Sequence, residues 1–269
     1  MGEIIGFPAY KEAKEKITEL KKTLADLVYE KDNLKFVICE NIKTQYMLNF
    51  GSLEYKFYEA YCKYLRLRRK KEMIQAKKNR QESIDIETIE NDLDDEFTEY
   101  KKVLDGKISD MKEALKRSEM DFLTGEEEIL IKSLYKKIVK KIHPDINPAI
   151  TEEEKEFFYK ATDAYKNGEL MTLQIIYDIV ISNEDPDKEA LSDKALKDEI
   201  KRLEGLIGKI QKDIDLIKSQ PPYTWKEFVE DKNKRADKLK ELKNNLKAYE
   251  EAIRTQEEYI KDLMRDIHE

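Results

Sequence analysis

Breakers and special residues are scarce in this chain. Of 269 residues only eight are glycine, six proline, two cysteine, two histidine and one tryptophan. So few breakers, with so many charges, favour long, solvated helices over a compact α/β core. Cys39 and Cys62 form no CxxC pair, which excludes a disulfide framework and a cysteine zinc module and points to packed, reduced thiols. No apolar run approaches membrane-spanning length, and the opening MGEIIG has neither a secretory pattern nor the Ser/Thr at position 6 that a myristoylated Gly2 would need. A soluble protein of the reducing cytoplasm is the expectation, without a membrane partner. The net charge of -7 gives no global drive towards nucleic acid.

What the chain does have is charge, 41% of its residues, laid over apolar periodicity. Three regions are expected: long helices over 1–120, a helical segment over 121–181, and a coiled coil over 188–269. In the first, Ala13, Ile17, Leu20, Leu24 and Leu27 step by three and four, the spacing of a helix seam. Gly51-Ser52 reads as a break, with Ser52 the next N-cap. A further helix carries Ile86, Ile89, Leu93, Phe97, Tyr100 and Leu104.

Between them the charge inverts. Residues 63–80 hold nine bases against Glu72 alone, and residues 82–99 hold nine acids and no base. A basic block can mark nucleic acid binding, but charges matched this closely favour an acidic neighbour folding back on it. Tyr55, Tyr58, Tyr61 and Tyr64 could stack on bases, yet three-residue spacing is more often a packed helix stripe.

In the last region Leu196, Ile200, Leu203, Ile207, Ile210, Ile214 and Ile217 alternate steps of four and three. Pro221-Pro222 stops that helix. Thr224 with Glu227 reads as a capping box for a return helix bearing Leu239, Leu242, Leu246, Tyr249, Ile253, Ile260, Leu263 and Ile267, with Gln256 in one seam position and Lys232 and Arg235 interrupting it. The expectation is an antiparallel coiled-coil hairpin whose return arm, if continuous, reaches roughly 66 Å. Dimerisation through the same stripe stays open.

The central segment is the most specific. Thr124 and Glu127 suggest a capping box for a helix ending near Ile142, with Leu130, Ile131, Leu134, Tyr135, Ile138 and Ile142 on its apolar side. Lys132, Lys136, Lys137, Lys140 and Lys141 lie largely on another face, a positive strip without a nearby acid on the same face. Pro144 disfavours helix at His143, which places His143 and Asp145 in an exposed turn. Thr151 and Glu154 cap a next helix with Phe157, Phe158, Ala161 and Tyr165 as its core stripe, and Asn167-Gly168 ends it. A last helix puts Leu170, Leu173, Ile176, Tyr177 and Val180 on one face.

This stretch, LYKKIVKKIHPDINP followed by FYKATDAY, resembles the J-domain of the DnaJ (Hsp40) co-chaperones. The resemblance covers about 50–60 residues. It implies an all-α protein with a central J-domain-like hairpin, in which His143, Pro144 and Asp145 form the signalling loop. Lys136, Lys137, Lys140 and Lys141 would dock electrostatically on the ATP-bound form of an Hsp70 chaperone and so accelerate its ATP hydrolysis. The flanking helices would then select a client or a location. No cofactor and no enzymatic activity of the chain itself are implied. The family's Gly/Phe-rich linker and cysteine-rich zinc module are absent, which leaves a specialised J-protein. The family's opening helix is not recognisable before Thr124, and residues 111–120 are the nearest substitute. Two catalytic readings fail on spacing: a metal site at His143 and Asp145 has only the distant His268 to add, and Ser133 or Cys39 lacks a nucleophile motif. The competing reading is a coiled-coil scaffold or adaptor whose J-like joint does not engage Hsp70.

Overall fold

The computed structural model describes residues 8–119, 123–182 and 193–265, and among them every regular element is helical. The fold class is all-α. Residues 8–79 are helical without interruption: α1 (Pro8–Asn33), a π-helical turn at Leu34–Ile38, α2 (Cys39–Tyr46), a second π-turn at Met47–Gly51, and α3 (Ser52–Asn79). Then come α4 (Ile86–Glu96), α5 (Thr98–Ser118), α6 (Gly125–Ile142), α7 (Glu152–Asn167), α8 (Leu170–Ser182) and α9 (Asp193–Ser219). A 3-10 turn at Tyr223–Trp225 leads into the short α10 (Lys226–Glu230) and the long α11 (Lys232–Arg265). No described helix is long and apolar enough to cross a membrane.

The chain packs as two compact units, residues 8–40 with 123–224 and residues 41–119 with 225–265. They do not coincide with three consecutive regions, because the chain leaves the first unit at the start of α2, builds most of the second, and returns.

In the first unit α6 and α7 lie antiparallel, α8 covers both, and α1 packs along α6 on one flank and α9 on the other. Leu24, Val28, Tyr135, Ile138, Val139, Ala161, Leu173, Leu203 and Ile214 make its continuous core, each fully withdrawn from water. Leu130 is the exception to the stripe read from the sequence, 41% exposed. Gly168 ends α7 at φ +73, the left-handed conformation glycine adopts without steric cost. Cys39 in this unit and Cys62 in the other are buried free thiols.

The second unit holds the charge blocks together. The Arg66 guanidinium donates to Glu90 and, at 2.8 Å, to Asp94, and Arg69 grips Glu96 with two bonds of 2.9 and 3.0 Å. The acidic α4 has thus folded back on the basic end of α3. The tyrosine stripe is also packed: Tyr61 and Tyr64 meet the edge of Tyr249 at 5.5 and 5.6 Å.

Two expectations about helix ends give way. Gly51-Ser52 is no break: Gly51 sits at φ -53, ψ -46 inside the helix. Its use is close packing, since a Cβ there would stand 2.8 Å from Met111 Cγ. Thr224 does not cap a helix either. The backbone is extended at Asp231 (φ -88, ψ 115), whose carboxylate accepts from the N–H of Asn233 at 2.8 Å and Lys234 at 3.2 Å. Arg235 donates back to the carbonyls of Phe228 and Val229, which explains a charged residue where the seam needed an apolar one. The last helix therefore begins at Lys232 and spans about 50 Å.

The antiparallel C-terminal hairpin is also corrected. The prolines do stop α9, but each arm is seamed to a helix of its own unit and runs parallel to it. Along α1 and α9, Lys16 meets Glu204 and Glu30 meets Lys218, both at 2.7 Å. Along α3 and α11, Phe57 meets Tyr249, then Lys63 meets Glu257, then Ile74 packs near Leu263. Both apolar stripes thereby pack against helices of the same chain. Gln256 occupies this second seam with its side-chain oxygen buried and without a hydrogen-bond partner among the described residues. Ile267 lies outside the described residues.

Candidate functional site

The site is built from α6, α7 and the turn between them. Both helices start at full capping boxes. Thr124 Oγ1 accepts from the Glu127 N–H at 3.3 Å while Glu127 returns a bond to the Thr124 N–H at 2.8 Å; Thr151 and Glu154 repeat the pattern at 3.2 and 2.8 Å. Each cap satisfies two orphan amides and fixes where its helix begins. The Thr124 bonds also hold the Glu127 carboxyl below its usual range.

Pro144 forces His143 out of helix, to φ -69 and ψ 128. The turn is then held from inside. The His143 carbonyl accepts from the N–H groups of Ile146 (3.1 Å) and Asn147 (2.9 Å). The Asn147 side-chain amide donates to the carbonyls of Lys140 and Lys141, at 3.1 and 2.7 Å, satisfying the last turn of α6. Ile146 plugs into the core, 1% exposed.

His143 and Asp145 part company here. Asp145 is exposed, as the turn suggested, but His143 is buried, 8% exposed. Its ring stands edge-on to Phe158 at 4.7 Å, and its Nδ1 accepts the Asp145 N–H at 3.0 Å. The histidine is thus the internal brace of the turn and the aspartate its outward group, with Pro144 half-buried between them. Burial drives the ring's pKa down to about 4, the Asp145 carboxylate opposing and Lys31 assisting.

A pH dependence follows. An Nδ1 that accepts a hydrogen bond belongs to the neutral ring. Between about pH 6.5 and pH 4 the unfolded chain binds a proton that the folded turn refuses, so stability falls as pH falls through that window. The loss is at most about 3 kcal/mol. Urea unfolding of wild type and His143→Gln at pH 7 and pH 4.5 checks it. The stability advantage of wild type should shrink at the lower pH, and a constant gap would contradict the assignment.

The lysines are less uniform than their spacing suggested. Lys136, Lys137 and Lys140 are exposed and Lys141 half-buried. Lys136 pairs with Asp26 of α1 at 2.9 Å, and Lys132 with Glu128 at 3.5 Å, so the strip is not free of acids. Lys137 lies over the Tyr177 ring at 5.2 Å, and Lys141 donates to the Ile181 carbonyl at 3.3 Å. Lys137 and Lys140 are therefore exposed beside the turn without an ion-pair partner among the described residues.

The helix that covers this hairpin is α1. Tyr135 is fully buried, stacked on Tyr165 with ring centroids 4.2 Å apart and planes within 2°. Its hydroxyl donates to Asp32 at 2.8 Å, and the Tyr165 hydroxyl donates to Asn33 at 2.9 Å. Burial raises the Asp32 carboxyl and both phenols above their usual ranges, with the Tyr135 bond opposing the rise at Asp32. Residues 111–119 do not supply the covering helix: α5 belongs to the other unit, packed on α3 and the 47–51 π-turn.

Compared with models of known protein families, with characterised proteins and with solved structures, the chain matches none.

One residue at the turn escaped the sequence reading. Arg202 of α9 donates to the Asp145 backbone carbonyl at 3.1 Å while clasping Glu199 with bonds of 2.7 and 2.9 Å. Nothing local in the sequence links position 202 to position 145. Among the described residues no group of three or more His, Cys, Asp or Glu side chains is placed to hold a metal, and His268 lies outside them. The arrangement exposes a carboxylate and ammonium groups on a turn held by internal hydrogen bonds.

Proposed function

We propose that this chain is a co-chaperone of the J-domain kind, docking on an ATP-bound Hsp70 and stimulating its ATP hydrolysis. The observation that carries this reading is the turn itself. Between two capped antiparallel helices, an internally braced His143 and Pro144 hold the Asp145 carboxylate out to solvent, with Lys137 and Lys140 exposed alongside. The resemblance of these residues to the family's loop and basic helix supplies the identity of the partner. In this reading the lysines steer encounter with an acidic surface, Asp145 offers its carboxylate to a basic group of the partner, and His143 transfers no proton. In this reading α1, which packs on α6 and bonds to Tyr135 through Asp32, takes the part of the family's opening helix.

The test is binding of the full chain to Hsp70 held in its ATP-bound or ADP-bound form. Binding confined to the ATP form and weakening steeply with salt is expected. Binding to neither form would reject the reading and leave the scaffold interpretation, for which the packed helical seams would then be the chief argument.

A further inference from the structure

Beside the turn, the first turns of α1 and the end of α6 enclose an open groove of about 840 Å³. Its size falls within the roughly 300–1,000 Å³ usual for ligand sites. Five lysines and two glutamates line it, over a floor that includes Tyr10 and Ile146. Lys14 and Lys22 of α1 and Lys140 of α6 are all exposed at its walls. The Tyr10 hydroxyl is covered, yet it has no hydrogen-bond partner among the described residues. A covered hydroxyl without a partner carries a cost that an incoming acceptor would relieve.

We propose that this groove receives an extended acidic segment of the protein that engages the His143–Asp145 turn, a proposal that rests on the co-chaperone reading. Charge selects the ligand's sign, since basic side chains outnumber acidic ones here in a chain whose net charge is -7. Shape selects a chain over a compact anion. The α1 lysines on the groove run from Lys11 to Lys22, about 16 Å along the helix axis, too far apart for one phosphate to meet them together. An extended segment places successive carboxylates along them and a carboxylate or carbonyl oxygen within reach of the Tyr10 hydroxyl. Lys140 belongs to both surfaces, so the groove continues the docking face from α6 onto α1.

The experiment measures fluorescence anisotropy of a fluorescein-labelled peptide of alternating glutamate and leucine, titrated with the full chain. Lys14→Gln/Lys22→Gln should weaken binding about fivefold or more, while the control Lys243→Gln/Lys247→Gln, with the same charge change on α11, leaves it unchanged. Equal losses in both variants, or tripolyphosphate displacing the peptide at lower concentration than unlabelled peptide, would overturn the proposal in favour of general anion binding. Tighter binding after Glu184, Asp185, Asp187 and Glu189 are all changed to Gln would overturn it too, by assigning the groove to the chain's own acidic stretch. In Hsp70 stimulation, Lys14→Gln/Lys22→Gln should raise the half-saturating concentration by a similar factor with the plateau rate unchanged. If wild type gives no stimulation, the co-chaperone reading falls, and the groove's role in partner docking falls with it even where the peptide binds. If stimulation is intact and insensitive to the α1 lysines, the groove proposal alone falls.

Discussion

Asp145→Asn is expected to abolish the chain's effect on Hsp70 while leaving its fold intact. The structure separates the two roles of this residue. Its backbone N–H and carbonyl hold the turn, bonded to His143 Nδ1 and Arg202, and asparagine keeps both. Its carboxylate is exposed and makes no hydrogen bond among the described residues, so removing the charge costs the folded chain little. At an interface the loss is different in kind. Truncating one partner of a buried, hydrogen-bonded charge pair costs about 2–5 kcal/mol, a loss of roughly 30-fold or more in affinity. Lys137→Ala or Lys140→Ala should act as rim charges do, slowing association a few-fold and flattening the salt dependence. The check is Hsp70 stimulation beside thermal unfolding for each variant. An Asp145→Asn protein that unfolds with wild type and stimulates fully would show the carboxylate to be an ordinary surface group.

The largest structural effect is expected at Tyr135. Its ring is fully buried, stacked on Tyr165, and its hydroxyl bonds to Asp32 and lies 3.1 Å from Thr162 Oγ1. Tyr135→Ala removes the ring, leaves a cavity and strips the buried Asp32 of its donor, a cost of about 3–5 kcal/mol before the stranded carboxyl is counted. A fall of roughly 8–16 °C in melting temperature follows for a domain of this size. Tyr135→Phe keeps the stack and loses only the hydrogen bond, for about 1–3 kcal/mol. Thermal and urea unfolding of the two variants checks both figures. Near-equal losses would mean that the hydroxyl, rather than the packed ring, dominates. Because Tyr135 joins α6 to both α7 and α1, the same substitution should also loosen the frame that presents the turn.

The sequence was most legible where the determinants are local. Thr124 with Glu127, and Thr151 with Glu154, start their helices because each cap closes within four residues. Pro144 ends α6 through its own ring and neighbour, and Gly168 ends α7 through its own backbone. The pairing of α4 with α3 was legible for a related reason, since two oppositely charged stretches separated by one short turn have little choice of partner.

Legibility ended where the partner is distant. Periodicity shows which face of α9 is apolar but not what covers it, and two prolines stop a helix without fixing where the next one lies. The parallel seams of α9 with α1 and α11 with α3 therefore look like a hairpin in the sequence alone. Asp26, Asp32 and Asn33 meet Lys136, Tyr135 and Tyr165 across more than 100 residues of chain, and no local pattern announces them. His143 was placed outside because turns are exposed on average, whereas Phe158 supplies this one with an aromatic wall. Gly51 looks like a breaker in the sequence, but it lets Met111 approach the helix closely.

The most direct measurement of the central claim is single-turnover ATP hydrolysis by Hsp70 in the presence of increasing wild-type chain. A rate that rises and saturates with concentration, and whose half-saturation point moves upward with salt, is the predicted result. A hydrolysis rate that stays flat over the whole range at low salt would contradict the co-chaperone reading and reduce the His143–Asp145 turn to a structural joint.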